Sequence, residues 1–90
     1  MSEVAVYTTR FCGYCVRAKQ LLDAEGIPFR EIDLTGDDEE RARLIERSAG
    51  KRTVPQIFIG SVHVGGFMEL LAMHRRGQLE PLLEAQGIDL

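Results

Sequence analysis

Apolar residues come in short bursts along this chain, and the spacing inside each burst predicts an element. Glu3 to Tyr7 alternates weakly, holds the apolar run Val4-Ala5-Val6-Tyr7 and reads as a strand. Tyr14 to Glu25 has helical spacing, with Val16, Leu21 and Leu22 as apolar anchors; Gly26 and Pro28 close it. Phe29 to Asp33 reads as a second strand, with Phe29, Glu31 and Asp33 on one face and Arg30 and Ile32 on the other. Thr35-Gly36-Asp37-Asp38 is a turn, and Asp37 with Glu40 has the spacing of a capping box. A helix from Asp38 to Ser48 follows, brings in Ala42, Leu44 and Ile45 as its apolar residues and ends at Gly50. Its acidic run from Asp37 to Glu40 stands at the positive end of the helix dipole.

The second half is more tightly punctuated. Gln56 to Ile59 and Val62 to Val64 are two short strands. Gly60-Ser61 between them reads as a two-residue hairpin turn with glycine first, as in type II′. Gly65-Gly66 leads into a helix from Phe67 to Arg76 that stops at Gly77. A last helix, Gln78 to Gln86, stops at Gly87. The order β-α-β-α-β-β-α-α makes the first two strands parallel, joined by a right-handed helical crossover, and the last two an antiparallel hairpin. The expected fold class is α/β, a four-stranded mixed sheet flanked by helices.

Size and charge narrow the function. Ninety residues make a single expected domain, 1–90. Such a chain buries roughly 60–65% of its unfolded surface, enough for one modest core. A net charge of -3 does not suggest a nucleic-acid partner. No run approaches the ~18 apolar residues of a membrane span. Met1-Ser2-Glu3-Val4 lacks the basic region and apolar run of a secretory leader, so no leader is expected. The chain's two cysteines lie too close in sequence to staple a fold of this size. They fit a reducing, cytoplasmic setting with a catalytic or metal-binding pair.

That pair is Cys12-Gly13-Tyr14-Cys15, at a strand-to-helix junction. If a helix begins near Cys12, the sulfur lies among unpaired N–H groups at the positive dipole end, and both favour thiolate. Cys15, one turn further in, is expected to be more buried and less ionised. That asymmetry suits a nucleophile followed by a resolving thiol. A structural zinc site needs four ligands, and His63 and His74, eleven apart, lack finger spacing. Thr53-Val54-Pro55-Gln56 places a proline at a strand entrance, where the missing N–H costs least. Gly65-Gly66 before a helix allows close backbone approach, and such a helix start attracts carboxylates. Phe11 and Phe67 are either an apolar rim to the site or packing residues, and Tyr14 either helps seat a substrate or is a partly exposed helix residue.

Taken together, Tyr7-Thr8, the Cys12 to Cys15 motif, the run from Thr53 to Ile59, and Gly65-Gly66 resemble the glutaredoxins, in order and spacing over nearly the whole chain. The resemblance implies a thioredoxin-like fold and a glutathione-dependent oxidoreductase acting on protein disulfides and protein–glutathione mixed disulfides. It implies Cys12 as nucleophile, Cys15 as resolving thiol and a cis Val54-Pro55 bond. The Val54 backbone would pair with the cysteinyl unit of glutathione, and the helix start after Gly66 would receive its γ-glutamyl carboxylate. The glutathione site so implied comprises Arg10, Tyr14, Thr53, Val54, Pro55, Gly66, Phe67, Met68 and Glu69.

Three positions depart from the family pattern. Gly13 stands where many dithiol members have proline. Members with a small residue there more often hold a 2Fe-2S cluster, for which Cys12 would be the metal ligand in a glutathione-bridged dimer. Thr9 stands where a lysine usually contacts the glycyl carboxylate; Arg10, Lys51 and Arg52 are the basic residues open to replace it. Met68 stands where an aspartate commonly meets the γ-glutamyl amine, so either Glu69 compensates or that contact is missing. A cluster carrier or sensor is therefore one alternative function, and a mycothiol- or thioredoxin-reductase-dependent redoxin another. The expected form is a cytoplasmic monomer, dimeric only with a cluster.

Overall fold

The computed structural model describes residues 3–88. Its elements are β1 (Val4–Thr8), α1 (Gly13–Ala24), β2 (Arg30–Asp33), α2 (Asp38–Arg47), β3 (Gln56–Ile59), β4 (Val62–Gly65), α3 (Phe67–Arg75) and α4 (Leu79–Ala85). The sheet order is β2-β1-β3-β4. β1 and β2 run parallel, Val6 opposite Glu31; β3 is antiparallel to β1, Val6 opposite Ile57. β3 and β4 form the antiparallel hairpin, so the mixed four-stranded sheet matches the expected α/β, thioredoxin-like architecture.

The weak alternation read over Glu3 to Tyr7 gives way to a strand shifted by one residue and buried at every position. β1 is central, and both of its faces are covered. Val4 and Val6 join Ile57, Ile59 and Leu22 in one core; Ala5 and Tyr7 join Phe58, Leu34 and Leu44 in another on the opposite face. β2 is an edge strand. Its exposed Arg30, Glu31 and Asp33 suit a strand with one unpaired side. Phe29 lies just before it and packs on the first core, while Ile32 packs on the second.

Two apolar assignments shift when helix phase is known. α1 buries Cys15, Ala18 and Leu22, a stripe spaced three and four apart. Val16 is 48% exposed and anchors nothing, because it sits about 100° round the helix from Cys15. Leu21 packs at the margin of the core as expected. On α2 only Leu44 is buried; Ala42, two residues earlier, points away and is exposed. Asp37 caps α2, its carboxylate accepting the Glu40 N–H at 3.1 Å.

The hairpin turn has the type II′ sign, since Gly60 has φ +59 and Ser61 has no positive φ. β4 carries an irregularity. Phe58 faces His63, but Ile57 faces Gly65, so one extra residue is inserted on β4. Gly65 takes φ +115 at that point, a conformation open essentially to glycine, and the chain turns into α3 at Gly66.

Candidate functional site

Cys12 is the N-cap of α1 and has extended backbone angles. Its sulfur therefore faces the unpaired N–H groups of the first turn. The Cys15 N–H donates to it at 3.2 Å. In the thiol form the Cys12 S–H reaches the Val54 carbonyl at 3.6 Å, so the nucleophile touches the loop before β3. Cys12 is partly exposed, and both cysteines are free thiols.

Cys15 is 2% exposed. Its burial, together with the Cys12 sulfur beside it, pushes its thiol up to about 12. The thiol beside it is thus the accessible one, and Cys15 stays protonated at neutral pH. Phe11, just before Cys12, has φ +62 and is 98% exposed. Met68, 59% exposed, and Tyr14, 56% exposed, are large apolar residues that also face solvent.

A groove of about 230 Å³ is lined by Val54, whose carbonyl the Cys12 sulfur reaches, but not by Cys12 itself. Tyr14, Thr53, Val54, Pro55, Gly66, Phe67, Met68 and Glu69 all line it, as do Lys51 and Gln56. The peptide bond between Val54 and Pro55 is cis. The Tyr14 and Phe67 rings stack with centroids 6.1 Å apart and form one wall. Arg10 lies elsewhere. It lines a second open cavity of about 440 Å³ with Cys12, Cys15, Lys19 and Glu31. Of the three basic residues open to replace the missing lysine, Lys51 is the one in the groove, where its ammonium lies 3.5 Å from Glu69.

Glu69 also accepts the Gly66 N–H at 3.4 Å. Burial opposes ionisation of this carboxyl, but the backbone N–H groups of Gly66 and Glu69 and the nearby Lys51 together hold it below its ordinary value. The start of α3 is thus already an anion-accepting end. In the second cavity Glu31 accepts the Thr8 hydroxyl at 2.8 Å and the Lys19 ammonium at 3.0 Å, and these bonds hold its carboxyl below the ordinary value.

In the sequence Gln56 closes the Thr53-to-Gln56 motif without a role of its own, and His63 stands only as a rejected zinc ligand. Gln56 is 1% exposed and hydrogen-bonds both Thr53 and His63. The one signal for it was a polar residue opening the otherwise apolar run of β3; nothing in the sequence marks its pairing with His63. Among the described residues no group of three or more His, Cys, Asp or Glu is arranged to hold a metal ion.

The chain is similar to known proteins over most of its length. The family model described as Glutaredoxin matches residues 4–64. The chain is 53% identical over 85 residues to a glutaredoxin of Pseudomonas aeruginosa, covering 94% of this chain and all of that one. It is 46% identical to glutaredoxin 3 of Escherichia coli K12, over 93% of this chain and all of that one. The solution structure of a Brucella melitensis glutaredoxin superposes with a TM-score of 0.83 at 48% identity, over 100% of this chain and 96% of that one. A crystal structure of a buckwheat glutaredoxin–glutathione complex gives a TM-score of 0.84 at 35% identity, over 98% and 83% of the two chains.

Proposed function

Because the chain belongs to the glutaredoxin family and is a thiol–disulfide oxidoreductase, we propose that it draws its electrons from glutathione and reduces protein disulfides and protein–glutathione mixed disulfides. One observation carries this reading: the partly exposed sulfur of Cys12 abuts the carbonyl of Val54, a residue that lines a groove of about 230 Å³. The buckwheat relative solved with glutathione supports it.

In this reading the Cys12 thiolate attacks the glutathione sulfur of a mixed disulfide. The old S–S bond breaks, the substrate thiolate leaves and takes a proton from solvent, and Cys12 carries glutathione in a new disulfide. A second glutathione thiolate attacks that glutathione sulfur, giving glutathione disulfide and the Cys12 thiolate again. With a protein disulfide, Cys12 forms a mixed disulfide with the substrate. Cys15 then attacks the Cys12 sulfur, the substrate leaves as a dithiol, and two glutathiones restore the pair.

The Val54 backbone pairs with the cysteinyl unit, and the start of α3 beyond Gly66 takes the γ-glutamyl carboxylate. Lys51 supplies the positive charge that Thr9 lacks, since it lines the groove and Arg10 does not. Tyr14, Phe67 and Met68 enclose the apolar side. A 2Fe-2S cluster needs four ligands, and one chain offers the single accessible thiol of Cys12, with Cys15 buried. The chain by itself does not make a cluster site, and no step here runs through one. Both cysteines as free thiols fit a reducing, cytoplasmic setting. Among the described residues no helix is long and apolar enough to cross a membrane.

The test compares variants and reductants. Cys12→Ser should lose all reductase activity. Cys15→Ser should keep the glutathione route on mixed disulfides and lose reduction of protein disulfides through the dithiol. Turnover supported by thioredoxin reductase or mycothiol but not by glutathione would overturn the proposal.

A further inference from the structure

β3 and β4 meet so that Phe58 faces His63, and the two rings stack with centroids 4.8 Å apart. This stacking holds the imidazole over the sheet with its Nε2 2.7 Å from the Gln56 Oε1. Gln56 in turn points back along the chain. Its amide nitrogen donates to the Thr53 carbonyl at 2.9 Å and to the Thr53 hydroxyl at 3.3 Å. The Gln56 backbone is fixed too, because it pairs with Tyr7 of the central strand.

The orientation of the amide is not free. Its oxygen faces His63, so the ring presents an N–H at Nε2, and its NH₂ faces Thr53. Turned over, it would set oxygen against the Thr53 carbonyl in a site 1% exposed, where an unmade hydrogen bond is costly. Burial and the nearby Lys51 charge hold the ring below the ordinary histidine value and so favour its neutral form, against the opposing pull of Glu69.

The consequence appears one bond further on. The only cis peptide bond among the described residues is Val54-Pro55, so the peptide joining Thr53 to Val54 is trans. In a trans peptide the C=O and the following N–H point in opposite directions. With the Thr53 oxygen drawn toward buried Gln56, the Val54 N–H is turned the other way, toward the groove that Val54 lines. Among the described residues that N–H has no hydrogen-bond partner.

We propose that Gln56 and His63 form a clamp that aims the Val54 N–H at the bound peptide, so that both are positioning residues for glutathione capture. The proposal rests on the glutathione reading above. Neither side chain touches the reacting sulfur; Gln56 borders the groove and holds Thr53, and His63 acts through Gln56.

The test uses the full chain and S-methylglutathione, which binds without reacting. In the wild-type protein the Val54 amide signal should move on titration with this ligand, and in Gln56→Leu that shift should be lost. Steady-state assays with a glutathione mixed disulfide should show KM raised about tenfold in Gln56→Leu at little change in kcat. The rate of Cys12 alkylation by iodoacetamide, which needs no groove, should stay as in the wild type. His63→Leu should change KM in the same direction, and His63→Gln, which keeps a donor, should recover most of it. If Gln56→Leu does not fold, the two His63 variants decide the matter from the other end of the clamp. A Val54 amide that stays still while S-methylglutathione binds, or KM unchanged in the folded variants, overturns the clamp alone. Wild-type protein that does not bind S-methylglutathione at all overturns the glutathione reading and the clamp with it.

Discussion

Two cysteines three residues apart are given opposite characters by one turn of helix. Cys12 caps α1 and meets solvent and a backbone N–H; Cys15 lies within the core. The Cys15 thiol is raised from 9.0 to about 12, first by burial. A folded value above the unfolded one means that this group's contribution to stability is complete below pH 9 and is lost as pH climbs toward 12. At neutral pH, native reduced protein should therefore take up one equivalent of iodoacetamide, on Cys12. The second should add only in denaturant, when Cys15 regains its ordinary reactivity; equal rates at both sites in native protein would contradict this asymmetry. The cysteine motif was legible because its chemistry is local. Val16 was misplaced as an anchor because a valine looks more apolar than Cys15 or Ala18, yet the helix phase buries the smaller residues. The Gln56 to His63 contact was illegible because it crosses a hairpin, and its register cannot be read from either strand alone.

At the scale of elements, the junction between β4 and α3 carries the most conformational information. All eight elements were legible from apolar spacing and glycine punctuation, with ends displaced by a residue or so. The extra residue on β4 was not, because a strand of four residues is too short for the shift in alternation that a bulge causes to show in its sequence. Its glycine can be tested against the one in the cysteine motif. A side chain on Gly65 would have to adopt φ +115, with its Cβ 2.9 Å from the Glu69 Oε1. The carboxylate can swing aside, so the backbone angle dominates, and Gly65→Ala should destabilise the protein by about 1–3 kcal/mol. At Gly13, in the first turn of α1, an added Cβ meets nothing within 4 Å and no positive φ is required. Gly13→Ala should leave stability unchanged or raise it by at most about 1 kcal/mol. Urea midpoints of the two variants decide; equal losses would mean that Gly13 is also held by packing.

The whole molecule is a sheet that gathers one site from three distant stretches of chain. β1 delivers Cys12 at the start of α1, the loop before β3 brings Val54 to its sulfur, and β4 delivers Gly66 and α3 to the far side of the groove. Sequence spacing alone carried the order of these stretches, and the sheet order β2-β1-β3-β4 explains why they converge, since β1 and β3 are neighbours at its centre. The position of Arg10 shows the limit. One residue from the expected lysine position, it falls into the second cavity, while Lys51, remote in sequence, enters the groove. The central claim is that Cys12 takes glutathione from a substrate onto itself. The most direct test is to mix reduced Cys15→Ser protein with a glutathionylated protein, quench in acid and weigh the intact products. The account predicts one glutathione attached at Cys12 and a substrate released as free thiol. A disulfide cross-link between Cys12 and the substrate protein, or an unmodified Cys12 beside a substrate that keeps its glutathione, would contradict it.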